Sequence, residues 1–208
     1  MSERAAFIDA ILDNPADDTA RLVFADWLQE NGEPERAEFI RVQIEAETLP
    51  EAELAESKSD QRAVTLQKEH EHAWRQAIGI ASDDGTYSRG FLTRVQLYPQ
   101  DFDGRVSRVL SIEPATFQLS LQANDDEEPI ALKAVDALAA DPRLRAITTI
   151  VSSGGRFGPK RFARLMKSPH LTNLRDIDIS WDDLIGAAGI RAIANSPAGF
   201  ELKPLTLA

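Results

Sequence analysis

Cysteine is absent from the 208 residues. That excludes disulfide staples, thiol catalysis, zinc fingers and iron–sulfur ligation. Histidine is scarce, with three residues, and aromatic side chains make up 7%. No stretch approaches the roughly 18 apolar residues of a membrane-spanning helix, so no membrane role is expected. The opening Met1-Ser2-Glu3-Arg4 has no apolar run behind a positive cluster, so no secretory leader is expected and a cytoplasmic location is. Basic residues are outnumbered 23 to 34, for a formal net charge of −11, which disfavours a general nucleic-acid binder. What is present is ordinary for a folded chain, 43% hydrophobic and 27% charged, and long enough for one or two domains with a real core.

The charge is unevenly spread. Residues 1–60 hold 5 basic and 16 acidic side chains, and residues 61–208 hold 18 of each. Residues 141–175 hold 8 basic side chains and one acid. Such asymmetry suggests two modules with different surfaces.

Residues 1–48 predict a compact set of helices. Ser2 caps the first, whose apolar stripe is Phe7, Ile8, Ile11 and Leu12. Asn14-Pro15 breaks it, and Asp17, Asp18 and Thr19 begin a second with the stripe Leu22, Val23, Trp27 and Leu28. Asn31-Gly32 stops that helix and Pro34 opens a third, carrying Phe39, Ile40, Val42 and Ile44. Asp26 is expected to pair with Arg21 or Arg41, and Trp27 to supply core area.

The run from Ala10 through Asn14-Pro15 and Phe24-Ala25-Asp26-Trp27-Leu28, with Asn31-Gly32-Glu33-Pro34 through Phe39-Ile40-Arg41-Val42-Gln43, resembles the bacterial repeat-companion domain. The likeness extends more loosely to Glu69-His70-Glu71-His72-Ala73-Trp74 and Ser88-Arg89-Gly90-Phe91-Leu92. It implies a helical fold joined to leucine-rich repeats, and no reaction. Residues 49–87 are polar and helix-favouring, read as a mobile helical connector.

Residues 88–208 carry an internal repeat. Pro114, Pro142, Pro169 and Pro197 are spaced by 28, 27 and 28 residues, and Gly158 and Gly186 by 28. Leu174, Ile177 and Ile179 recur as Leu202, Leu205 and Leu207. A period in the twenties with a strand, a turn and an amphipathic helix is a solenoid signature. The pattern resembles ribonuclease-inhibitor-like leucine-rich repeats, with Ser152 standing where an apolar residue is expected and Asp182 in place of the usual Asn. A degenerate earlier unit is expected from Phe91, Val95 and Leu97 through Phe102, Val106 and Val109. The fold class expected is therefore α/β: a helical module, then a short irregular solenoid of parallel strands and outer helices. A last strand over 202–207 offers an edge for self-association or a partner.

Candidate chemistry is sparse. His70 and His72 at i and i+2 on a helix point roughly 200° apart, so they read as a solvated face rather than a metal pair. No cofactor or metal is expected, and no nucleophile motif supports catalysis. Asp125-Asp126-Glu127-Glu128 lacks calcium-loop spacing. Ser152-Ser153-Gly154-Gly155-Arg156-Phe157-Gly158-Pro159-Lys160-Arg161 fails the phosphate-loop pattern because Pro159 separates Gly158 from Lys160. It reads as a turn into a helix. Arg156, Lys160, Arg161, Arg164 and Lys167 form a basic stripe that could meet an anion, RNA, an acidic protein or the acidic module. On the strand face the variable positions include Gln118, Ser120, Gln122, Thr148 and Thr149, and above all Arg175, Asp176, Asp178, Ser180 and Trp181. Trp181 would anchor a partner if exposed, or pack under the next helix. The reading is a non-catalytic protein-interaction scaffold of unknown partner. RNA or anion binding through 156–167 stands second, and a carboxylate-dependent hydrolase using Asp176, Asp178, Asp182 and Asp183 third.

Overall fold

The computed structural model describes residues 2–79, 86–97, 105–113, 118–122, 131–153, 157–181 and 185–197. At 95–97, 105–107, 122, 153, 180 and 181 it describes the backbone alone. The chain is mixed helix and sheet, in two compact units: Met1–Thr93 with Ile112–Ala115, and Arg94–Ser111 with Thr116–Ala208. Among the described residues no helix is long and apolar enough to cross a membrane.

In the first unit, Ser2 Oγ accepts the Ala5 N–H at 3.3 Å and starts helix α1 (Glu3–Asp13), which buries Ile8, Ile11 and Leu12. Helix α2 (Thr19–Glu30) follows Asp17, whose carboxylate accepts the Thr19 N–H at 2.9 Å and is held below its ordinary pKa by that bond. Pro34 opens helix α3 (Pro34–Glu47), which buries Ala37, Phe39, Ile40 and Ile44. Helix α2 is rotated from the expected stripe. Leu22 and Val23 are 39% and 48% exposed, while Arg21, Phe24, Ala25 and Leu28 face inward. Phe24 decides this: its ring packs among Phe7, Trp27 and Phe91, and an aromatic ring buries more area than the aliphatics beside it. Arg21 follows it inward, where its guanidinium donates to the Asp17 carbonyl and Asp18 carboxylate.

A short helix α4 (Glu51–Leu54) precedes the long α5 (Lys58–Ile78), capped by Ser57 Oγ on the Asp60 N–H at 3.0 Å. The stretch expected as a polar connector thus holds a 21-residue helix packed along α3, with Ala63, Leu66 and Ile78 buried. Few apolar residues suffice because they fall on one narrow stripe. Strands β1 (Tyr87–Ser88) and β2 (Phe91–Leu92) form an antiparallel hairpin with Arg89 (φ 50°) and Gly90 (φ 84°) in the turn. Two positive φ values mark a type I′ turn. Gly90 is required twice over, since a Cβ there would stand 2.2 Å from Ile40 Cγ1. Arg89 is held by Glu47 at 2.8 Å, by Asp18 at 3.4 Å and by the Pro15 carbonyl at 3.4 Å. The Ser88 and Arg89 bonds keep the Glu47 carboxyl below its ordinary range against the opposing pull of burial.

In the second unit, β3 (Arg94–Leu97), β4 (Gln118–Gln122), β5 (Thr149–Ser153) and β6 (Asp176–Trp181) form a parallel sheet in chain order. Helices α6 (Arg105–Ile112), α7 (Leu132–Ala139) and α8 (Gly158–Leu165) lie between successive strands in the chain, as parallel pairing requires. Helix α9 (Gly186–Ala194) follows β6, and α8 packs against both α7 and α9. Leu119, Leu121, Ile150, Ile177 and Ile179 are buried with Val135, Leu138, Phe162, Leu165 and Ile193 of the helices. Ser152, at an apolar position of the pattern, is fully buried opposite Leu121. Gly158 and Gly186, 28 apart, both have positive φ (71° and 43°) at helix starts, so the repeat recurs in backbone conformation as well as in letters.

The period of prolines has a structural basis at the residue before each one. Asp141 accepts the Arg143 N–H at 3.0 Å, and Ser168 Oγ accepts the His170 N–H at 3.1 Å, the same turn in two successive repeats. Ser168 Oγ also donates to the Ala139 carbonyl at 2.6 Å, and Ser196 Oγ to the Met166 carbonyl at 2.7 Å. Each serine thus ties its turn to the end of the helix before last, α7 for Ser168 and α8 for Ser196. Phe102, Asp125 to Glu128, Asp182, Asp183 and the expected last strand over 202–207 lie outside the described residues.

Candidate functional site

The sheet positions two polar rows. Side chains alternate along a strand, and the register aligns Arg94, Gln118, Thr149 and Asp176 in one row and Gln96, Ser120, Val151 and Asp178 in the next. Between these rows lies the buried row of Leu119, Ile150 and Ile177 on the opposite face. Gln118 Nε2 donates to Ser120 Oγ at 3.2 Å. Asp176 and Asp178 are half-buried neighbours on this face, whereas Arg175, just before the strand, is exposed and donates its N–H to the Thr148 carbonyl at 2.8 Å. The register shifts between Val151 and Ser153, so that Trp181 pairs with Ser153, which pairs with Gln122. The Ser180 and Trp181 side chains lie outside the described residues, and so does the choice between an exposed and a packed Trp181.

The basic stripe is only partly assembled. Arg156 lies outside the described residues. Arg161 donates back to the Phe157 carbonyl of its own turn at 3.3 Å. Arg164 pairs with Asp136 of α7. Arg164 and Lys167 line an open groove of about 530 Å³ together with Asp136, Ser168 and His170, and Lys160 and Arg161 are not part of its wall. The groove lies at the carboxyl end of α8, where the helix dipole already favours cations and disfavours a bound anion.

The first unit holds a buried charged cluster that the sequence reading missed. Arg36 on α3 donates to both carboxylate oxygens of Glu113, at 2.8 and 3.0 Å, and the two side chains are 8% and 2% exposed. Glu113 also accepts the Leu92 N–H at 2.9 Å. Aromatic rings surround the guanidinium: Trp74 at 4.7 Å, Tyr87 at 5.5 Å, Phe91 at 5.6 Å and Phe39 at 6.0 Å. Among the described residues Arg36 Nη1 and the Tyr87 hydroxyl are buried without a hydrogen-bond partner, and for the guanidinium the ring faces stand in for one by cation–π attraction. Burial pushes the Glu113 carboxyl up against the opposing pull of Arg36, and burial with the Glu113 charge pushes the Tyr87 phenol up to about 12. One signal could have pointed here. Glu113 precedes Pro114, the position held by Asp141, Ser168 and Ser196 in the later repeats. Asp141 pairs with Arg143 two residues on, whereas Glu113 reaches an arginine 77 residues back.

No metal-binding arrangement emerges among the described residues. His70 stacks on Trp74 at 5.6 Å and His72 is exposed. Among the described residues no three His, Asp or Glu side chains are placed to share a metal ion. Asp26 pairs with Arg41 at 2.7 Å rather than with Arg21, and Trp27 Nε1 donates to Glu3 at 3.1 Å. No protein-family model matches the chain, and no curated protein or solved structure does.

Proposed function

We propose that the chain is a non-catalytic protein-binding module, built as a repeat-companion-like helical unit and a short leucine-rich-repeat solenoid. The solenoid reading is supported by the chain-ordered parallel strands and by bonds between equivalent places one repeat apart, such as Ser168 to Ala139 and Asn173 Nδ2 to the Arg145 carbonyl at 2.7 Å. The binding reading rests on one observation. The rows ending in Asp176 and Asp178 occupy the sheet face opposite the core, where Arg94 is exposed, Gln118, Thr149, Asp176 and Asp178 are half-buried and Ser120 is buried. The acids favour a partner with basic groups. An RNA or anion site on the basic stripe stands behind it, because Arg161 and Arg164 are engaged within the unit.

The test compares proteins retained from a cell extract by the wild-type chain, by Asp176→Lys/Asp178→Lys, and by Lys68→Glu on α5 of the first unit. A species held by the wild type and the α5 variant but released by the double variant supports the face. Identical retention by all three overturns it.

A further inference from the structure

The first unit spends all seven of its arginines internally. Arg4 pairs with Glu33, Arg21 with Asp18, Arg36 with Glu113, Arg41 with Asp26, Arg62 with Glu38, Arg75 with Glu71 and Arg89 with Glu47. The surplus acids therefore set the sign of its surface. On that surface α2 presents Leu22 and Val23, 39% and 48% exposed, with Asp26 and Glu30 following on the same helical face, both exposed. Asp26 keeps 71% of its side chain in solvent despite its pair with Arg41.

The second unit carries the complementary pattern. Lys160, Arg164 and Lys167 fall at i, i+4 and i+7 and all are exposed. Lys160 and Lys167 have no ion-pair partner among the described residues. The Asp136–Arg164 pair sets α7 against α8 at an offset of 28 residues. The same offset stands Leu132, 37% exposed, level with Lys160. This face is an apolar residue beside a row of cations, where α2 is an apolar pair beside a row of acids.

We infer that the occupant of the α2 face is a second copy of this chain, docking its α7–α8 face there. Apolar side chains meet at the centre and opposite charges at the rim. The two surfaces are different, so the contact is heterologous: the pair keeps one free acidic face on one copy and one free basic face on the other, and chains of copies can grow. The net charge of −11 opposes crowding of copies, so the association is weak and dependent on concentration.

Sedimentation of the full chain over a concentration series reads this directly, with far-UV circular dichroism checking each variant's fold. The wild type is expected to show mass growing with concentration and falling with added salt. Asp26→Lys/Glu30→Lys alone, and Lys160→Glu/Lys167→Glu alone, should each weaken self-association by at least about tenfold. Mixing the two variants should restore association in 1:1 proportion, since the first keeps the basic face and the second the acidic one, and their two reversed faces are complementary in the opposite sense, so the mixture can grow as the wild type does. A wild type that stays monomeric up to about 1 mM, or association that both double variants leave unchanged, overturns the inference. So does a mixture of the two variants that forms no complex. Loss of Asp176 and Asp178 should leave this self-association intact, which separates its failure from failure of the sheet-face reading.

Discussion

Arg36 and Glu113 show how much a single residue pair can decide. Two ions removed from water are costly unless each satisfies the other. Glu113→Ala leaves the guanidinium buried and uncompensated, so chemical denaturation should show a loss of about 3–5 kcal/mol. The double variant Arg36→Met/Glu113→Leu removes both charges and should recover most of that loss, a strongly non-additive cycle. Tyr87 behaves differently because its hydroxyl is buried with no hydrogen-bond partner among the described residues. Tyr87→Phe removes an unsatisfied polar atom and should leave stability unchanged or raise it by about 1 kcal/mol. The folded phenol pKa of about 12 lies above the ordinary value of 10.0. Its contribution is therefore complete below pH 10 and is lost as pH rises from there toward 12. Alkaline melts should fall less steeply for Tyr87→Phe than for the wild type. Glu47 has the opposite sign: its folded pKa is depressed, so what it contributes is present above the ordinary carboxylate range and is lost as pH falls through the lower folded value. Glu47→Gln should flatten the acid arm of the same melts.

Elements were legible in proportion to how local their causes are. Ser2, Pro34 and Asn31-Gly32 mark helix ends through bonds and dihedral angles confined to a few residues, and the helices begin and end there. The inward face of α2 was not legible, because Leu22, Val23 and Phe24 are neighbours of similar hydrophobicity. The choice among them depends on Phe91, which is remote in sequence. The Arg36 cluster was hidden for the same reason, with 77 residues separating its two ions. The pre-proline serines sit between these cases: the period is visible in the letters, and the bond that explains it reaches 29 residues back. Ser168 is 1% exposed and holds the Ala139 carbonyl. Ser168→Ala should cost about 1–3 kcal/mol by leaving that carbonyl unpaired, and hydrogen exchange should quicken at the ends of α7 and α8 before it does in α1 to α3. Ser168→Asp should restore the turn bond to His170, as Asp141 makes it to Arg143, but not the bond to Ala139.

At the scale of the whole molecule, the uneven charge found in the sequence acquires a mechanism. The first unit consumes its arginines in holding itself together and leaves its acids outside, whereas the second keeps Lys160 and Lys167 outside. Composition alone could count the charges but not tell which were already spent. The recurring turn made by a pre-proline side chain has a further consequence, for how such a chain changes length. Cutting out residues 142–168 would bring Asp141 directly before Pro169, joining a side chain that already makes this turn to a proline that already follows one. Cutting out a segment that does not run from one of these prolines to the residue before another would set some other residue before the proline and cost the joint its acceptor. A gene of this kind can gain or lose whole periods while every intermediate length is penalised, so the number of repeats is free to drift and the length of each is not.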